Sequence, residues 1–302
     1  MTEVDTPVSP VAAADALPRD GRLEQLRARA RARETARAAA REAHRSVRDG
    51  GQRARRTADE LRDVAARGQA LLHAPGQPGA LPEGAPGART HEADAFEVIA
   101  WAVKEFGPGL AVASSMQDPV LAHLVSQQLP WVDVLFGDTG YHFAETTGTR
   151  DAVEHTLDVV VVDVRPSLSV EEQDAAYGKD LFARDPSYCC AMRKVEPMRN
   201  ALRDYDAWAT GLRRGESVTR ANAPLVTYDA KNGVVKLNPL AAWTDDEVAA
   251  YVAANGLLAN PLLADGYPSI GCEPCTARPR NGADARSGRW AGTDKVECGL
   301  HI

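Results

Sequence analysis

The chain has 302 residues, 44% of them hydrophobic, and a formal net charge of −7. That length suits one large α/β domain with appendages, and no apolar run approaches the ~20 residues that a membrane span requires. The acidic balance argues against a nucleic-acid partner. The first 18 residues carry Asp5 and Asp15 and no basic start, so they do not read as a signal peptide.

Charge is unevenly spread, with 15 Arg against 8 acids in residues 19–67. Residues 19–72 read as helix because Ala, Arg, Glu and Leu dominate them. Large apolar residues are few there (Leu23, Leu26, Val47, Leu61, Val64), which describes a solvated, loosely attached arm. Residues 74–87 form a Pro/Gly linker that is expected to hold no regular structure. The expected organisation is therefore an Arg/Ala-rich arm and linker over 1–90, then a catalytic domain over 91–302 with an active-site tail from residue 277.

From residue 91 strands and helices alternate. Leu110–Ser114 reads as a buried strand, followed by a turn and a helix over 119–128. Residues 132–136 read as the next strand. A third lies in 156–164, where the valine run 159–162 suits a parallel strand covered on both faces. Helices over Val170–Tyr177 and 191–202 follow, then a fourth strand over Ala207–Thr210. Residues 226–228 and Val234–Leu237 read as a hairpin, and Thr244 to Glu247 as a capping box opening a helix that stops at Gly256. The pattern predicts an α/β fold with a doubly wound, mainly parallel sheet and a ligand beyond the carboxyl ends of its strands.

Three turns at that edge are small and polar. Ser114 and Ser115 open the loop that carries Asp118, and such a strand-to-helix turn leaves backbone N–H groups to cradle an anion. The second turn contains Asp138, Thr139 and Gly140. The third contains Gly211 and Arg213, with Arg220 beyond it, and adds guanidinium donors suited to phosphate or sulfate. Together they predict an anionic nucleotide ligand.

Five cysteines stand in a different pattern: Cys189 beside Cys190, Cys272 and Cys275 three apart, and Cys298 alone. Two tight pairs suit a metal or iron–sulfur centre, although a Cys-x-x-Cys can equally be a redox pair. Adjacent cysteines do not easily point into one small tetrahedron, whereas a cubane offers each thiol its own iron. Arg193 and Lys194 follow the first pair, where they could offset a dianionic cluster and attract an anionic substrate. Cys298 lies outside the set, after a basic stretch with Arg286 and Arg289 that reads as mobile, and suits a nucleophile. His301 is close by. An odd, paired cysteine pattern in a signal-free chain points to the reducing cytoplasm.

Over residues 91–302 these motifs resemble the assimilatory adenylylsulfate (APS) reductases, the iron–sulfur branch of the APS/PAPS reductase family. The Ser-rich loop, the Asp138-Thr-Gly turn, both cysteine pairs and the Glu297-Cys-Gly-Leu-His301 ending carry the likeness. The resemblance implies the adenine nucleotide α-hydrolase-like (ATP pyrophosphatase-like) fold. It also implies a [4Fe–4S] cluster on Cys189, Cys190, Cys272 and Cys275, not consumed as the electron source, with Cys298 as nucleophile. It further implies reduction of adenylylsulfate to sulfite and AMP through an S-sulfocysteine, with thioredoxin or glutaredoxin as reductant. Ser114, Ser115, Asp118, Asp138, Thr139, Gly140, Lys194, Gly211, Arg213, Arg220, Arg286 and Arg289 would bind the substrate.

The phosphate loop lacks the glycines of the ATP pyrophosphatases and carries Pro119 where they have a serine, which argues against ATP cleavage. The branch acting on the 3′-phosphorylated substrate (PAPS) usually lacks the four cluster cysteines, which favours APS. The rival readings are a PAPS reductase, an ATP-dependent RNA thiolation enzyme of the same fold, and a non-catalytic iron–sulfur sensor whose basic arm contacts DNA. A homo-oligomer is compatible with all of them.

Overall fold

Near-continuous apolar runs give the inner strands two buried faces, and the chain covers both. In the computed structural model, which describes residues 19–49, 55–280 and 284–300, six strands form one sheet. They are β1 (Leu110–Ser114), β2 (Val132–Gly137), β3 (Val159–Val164), β4 (Ala207–Thr210), β5 (Val226–Asp229) and β6 (Val234–Leu237). Their order is β3-β2-β1-β4-β6-β5, with every neighbouring pair parallel except β5 against β6. Asp5 and Asp15 at the start of the chain, and His301 at its end, lie outside the described residues. Among the described residues no helix is long and apolar enough to cross a membrane.

Successive residues of a strand point to opposite faces, and the core divides accordingly. Leu110, Val112, Val134, Phe136, Ala207 and Ala209 face one apolar cluster. Ala111, Leu135 and Trp208 face the other. Helices α2 (Ala58–Leu72), α3 (Ala95–Phe106) and α4 (Val120–Ser126) cover the first face with Leu61, Ile99 and Leu124. Met198 and Leu202 cover the second. This is the doubly wound sheet expected of the alternating pattern.

The domain boundary falls earlier than the composition suggests. The chain divides into two compact units, Met1–Gln52 and Arg53–Ile302, so α2 and the Pro/Gly stretch belong with the sheet rather than with an arm ending near residue 90. Helix α1 (Arg19–Asp49) lies in the first unit, where Leu23 and Leu26 are exposed as a solvated arm requires. Helix α2 starts at a capping box of Thr57 and Glu60 and buries Leu61, Val64, Ala65, Gly68 and Leu72. That spacing is a helical stripe, but Ala and Gly supply two of its five positions and make it faint in sequence. Gln69 Nε2 donates to the Val226 carbonyl, and the Val226 N–H donates to His73 Nε2 at 3.1 Å. Helix α2 and His73 thus cover β5, an edge strand that would otherwise stand open.

The C-terminal segment is docked, where its basic, Gly-containing composition suggested mobility. Trp290 is buried and donates its backbone N–H to the Cys275 carbonyl, and the Ala277 N–H donates to Gly288. Leu300 packs against the second apolar cluster.

Candidate active site

Strands β2 and β3 lie to one side of β1, and β4 returns on the other, so β1 and β4 frame a switch point where α/β sheets open a crevice. A cleft lies there, lined by Ser114, Phe136, Gly137 and Thr210 from the strand ends. Ser115 and Asp118 line it from the first loop, and Gly211, Arg213 and Arg220 from the loop after β4. Lys194, Arg286, Arg289 and Cys298 complete it. Folding therefore gathers residues scattered over nearly two hundred positions, and all but Phe136, Gly137 and Thr210 are site residues expected from the sequence.

The first loop is held by its own side chains. Ser114 Oγ accepts from the Met116 N–H at 3.1 Å, Met116 adopts φ 58°, and Asp118 Oδ1 accepts from the Val120 N–H at 3.0 Å. Burial pushes the Asp118 carboxyl up from the usual carboxylate range. Helix α4 is shorter than the predicted span of 119–128, so the loop rather than a long helix forms this wall.

The arginines carry the strongest chemical signal. Arg213 Nη2 pairs with Asp245 at 2.7 Å, yet its Nη1 is buried with no hydrogen-bond partner among the described residues. The Nε atoms of Arg286 and Arg289 are in the same state. Unpartnered buried donors on charged groups are costly, and three of them around one cleft are what an anionic ligand would satisfy. Burial lowers the pKa of Arg286 and Arg289, opposing their charge. Arg220 differs, because each of its nitrogens donates to a carboxylate: Nε and Nη2 to Glu297, Nη1 to Glu216.

Sequence reasoning passed over Gly271, His142 and Glu297 as separate contributors. A Cβ on Gly271 would collide with the Arg289 guanidinium, so the glycine makes room for that side chain beside the cleft. His142 stacks on Phe136 with ring centroids 4.7 Å apart, and burial lowers its pKa. Neither residue has a spacing signal that would single it out.

Behind the cleft the four paired cysteines line a second cavity with Thr139, Tyr141, Arg193, Lys194 and Trp290. Helix α8 (Pro186–Cys190), which follows α5 (Ala144–Thr156), α6 (Val170–Tyr177) and α7 (Leu181–Arg184), opens on Pro186 with Asp185 accepting from the Tyr188 N–H at 2.8 Å. It continues as one π turn, Ala191–Val195, and then α9 (Glu196–Leu202), where the sequence predicted a plain helix from 191. The buried Arg193 leaves that turn to donate through Nε to the Thr139 carbonyl at 2.5 Å and through Nη1 to Gln173 at 3.0 Å. Cys272 and Cys275 are joined by a single 3₁₀ turn, with the Glu273 N–H donating to the Tyr141 carbonyl at 2.7 Å.

All five cysteines are free thiols. Burial and then the neighbouring thiols push Cys189 up to about 12 and Cys275 up to about 11. Burial raises Cys190 as well. At Cys272 burial acts in the same direction, but Lys194 and the Thr139 hydroxyl 3.3 Å away outweigh it and hold the thiol below its ordinary value. Among the described residues no group of three or more His, Cys, Asp and Glu is placed to hold a metal ion. The cavity does bring four sulfur donors together, and thiolates are the ligands that iron–sulfur groups take.

The turn after β2 needs a correction. Asp138, Thr139 and Gly140 do not line the nucleotide cleft. Asp138 pairs with Arg165 at 3.2 Å and accepts from the Gly140 N–H, while Thr139 is fully buried against Cys272 and Arg193. The chain turns at Gly140, φ 74°, toward the thiols. A turn at the correct sheet edge was legible; the cavity it faces was not.

Fold and site together define an α/β domain of the adenine nucleotide α-hydrolase-like type, with a cationic cleft at its switch point. Residues 108–278 match the phosphoadenosine phosphosulfate reductase domain. The chain is 54% identical over 246 residues to the adenosine 5′-phosphosulfate reductase of Mycolicibacterium smegmatis, covering 82% of this chain and 97% of that one. It is 56% identical over 215 residues to the Streptomyces coelicolor enzyme of the same name, covering 71% and 91%. A crystal structure of phosphoadenylyl-sulfate reductase from Candida auris, a phosphate complex, superposes with TM-score 0.53 at 29% identity, covering 62% of this chain and 91% of that one. The chain belongs to the adenosine 5′-phosphosulfate reductase family, whose members are oxidoreductases acting on sulfur in sulfate assimilation.

Proposed function

We propose that this chain reduces adenylylsulfate to sulfite and AMP, with Cys298 as nucleophile. The observation that carries the reading is that Cys298 shares one cleft with Lys194 and the unpartnered donors of Arg213, Arg286 and Arg289. The adenylyl group would lie against the β1 and β4 loops, through Ser114, Ser115 and Gly211, with its phosphate and sulfate among the basic side chains. The Cys298 thiolate attacks the sulfate sulfur as the bond to the phosphate oxygen breaks. AMP leaves with that bonding pair, and the sulfonate stays on the cysteine as S-sulfocysteine. Lys194 and the arginines stabilise the negative charge that moves onto the leaving phosphate.

A dithiol reductant of the thioredoxin or glutaredoxin class completes the cycle. Its first thiolate attacks the Cys298 sulfur and expels sulfite, leaving a mixed disulfide. Its second thiol attacks that disulfide, freeing Cys298 and carrying away both electrons as the reductant's own disulfide. This chemistry requires a reducing compartment such as the cytoplasm.

Cys189, Cys190, Cys272 and Cys275 would hold a [4Fe–4S] group. When bound to four thiolates such a group supplies negative charge beside Lys194. Lys194 lines both cavities, so its side chain orients between the thiols and the substrate anion.

A single-turnover reaction with adenylylsulfate and no reductant, read by intact mass, tests the reading. A sulfite-sized adduct on Cys298 that thioredoxin releases as sulfite is the expected result. No adduct in iron-replete protein would overturn it, and an adduct only with the 3′-phosphorylated analogue would change the substrate.

A further inference from the structure

Glu297 precedes Cys298, and its side chain is only 2% exposed. Its carboxylate accepts from Arg220 Nε at 2.7 Å and Nη2 at 2.8 Å, a bidentate pair. It also accepts from Arg286 Nη2 and the Thr219 hydroxyl, each at 3.2 Å. Glu216 takes the remaining nitrogen of Arg220 at 2.6 Å. Burial opposes the Glu297 charge, but Arg220 and Arg286 outweigh it and hold the carboxyl below the usual range. A buried carboxylate is tolerated only when its lone pairs are filled this way.

This clamp sits where the tail needs one. Val296 is 64% exposed on one side, and the next anchored side chain beyond Cys298 is Leu300, packed on the second apolar cluster. Adjacent Cα atoms are ~3.8 Å apart, so fixing Glu297 restricts where the Cys298 thiol can reach.

We propose that Glu297 is a positioning residue: paired with Arg220, it holds the tail so that Cys298 faces the cleft, and Arg220 serves the tail rather than the substrate. The inference rests on the reading of Cys298 as nucleophile. It divides the cleft's arginines by role. Arg213, Arg286 and Arg289 keep an open buried donor for the anion, while every nitrogen of Arg220 is already committed.

The test compares Glu297→Gln, Arg220→Met and the double variant in iron-replete protein. Misplacing a reacting group by about 1 Å can cost roughly a hundredfold. Adduct formation from adenylylsulfate should therefore slow by about tenfold to a hundredfold in either single variant. The AMP dissociation constant should stay within about twofold, since the clamp does not touch the nucleotide. Iodoacetamide should alkylate Cys298 faster in AMP-saturated Glu297→Gln than in the parent protein, a readout independent of turnover. The double variant should be no slower than the slower single, because both break one pair.

Adduct formation at the parent rate in Glu297→Gln would overturn the inference. So would weakened AMP binding in either single variant, which would make the residue a ligand or a structural part of the cleft, and so would additive losses in the double. Cys298→Ser separates the two readings. If that variant still releases sulfite, the nucleophile assignment has failed; if it is dead while Glu297→Gln is unimpaired, only the clamp has failed.

Discussion

The ammonium of Lys194 holds the thiol of Cys272 below its ordinary pKa from the wall shared by the two cavities. Burial opposes its charge, but Cys272, Cys298 and Cys190 hold its pKa above the ordinary lysine value. The same ammonium therefore answers to the thiol group behind it and to the cleft in front. Lys194→Ala should slow S-sulfocysteine formation by roughly a hundredfold, as loss of one charge-stabilising donor does, while weakening AMP binding far less, because AMP lacks the sulfate. Rapid-quench kinetics and AMP titration on the same preparation check this. Equal losses would reduce Lys194 to a general anion contact.

Arg289 occupies the space that a side chain at position 271 would need. Gly271→Ala should push the guanidinium out of place and weaken adenylylsulfate binding by about tenfold or more, the usual scale for a hydrogen bond to a charged group. Arg289→Ala should cost the same, and the two changes together little more. Competition binding with the intact substrate analogue reads all three. Additive losses would separate the glycine from the arginine.

The four cavity thiols and Cys298 should part company on mutation. Cys272→Ser should lose iron, measured by metal analysis and the visible chromophore, along with activity. Cys298→Ser should keep iron and AMP binding and form no adduct. A Cys272 variant with full iron content would remove that residue from the ligand set.

Leu61 is 1% exposed in α2, well before the boundary that composition suggests. Leu61→Ala should therefore destabilise the sheet-bearing unit by about 2–5 kcal/mol, the range for a buried leucine cut to alanine. Urea unfolding followed by tryptophan fluorescence measures it. An unchanged midpoint would return residues 53–90 to a dispensable arm.

His73 links the same segment to pH. It is 1% exposed, and because Nε2 accepts from the Val226 N–H, Nδ1 carries the proton and donates to the Pro78 carbonyl at 2.7 Å. Burial lowers its pKa, so below about 6.5 the unfolded chain binds more protons than the folded one. Its contribution to stability is complete above that pH and falls as acid is added toward the folded value. Unfolding free energies at neutral pH and at pH near 5.5 should differ less in His73→Gln than in the parent, if about one proton is linked there. An unchanged slope would rule out His73 as a linked group.

Sequence alone determined what local pattern can encode. The strand at Leu110–Ser114, the helix at Val170–Tyr177 and the hairpin before residue 237 follow from apolar periodicity and turn residues, which act over a few positions. The spacing of two cysteine pairs and a lone thiol likewise separated the four thiols that line one cavity from the fifth, which lines the cleft beside it. Tertiary structure decided the rest. Only packing shows that Thr139 faces Cys272 instead of the cleft, and that α2, read as an alanine-rich solvated helix, carries a buried stripe. Only the meeting of positions 220 and 297 turns an arginine read as a phosphate ligand into the partner of a buried carboxylate. Charge pairing at that separation leaves no trace along the chain, since it depends on where the fold brings the side chains and not on their spacing.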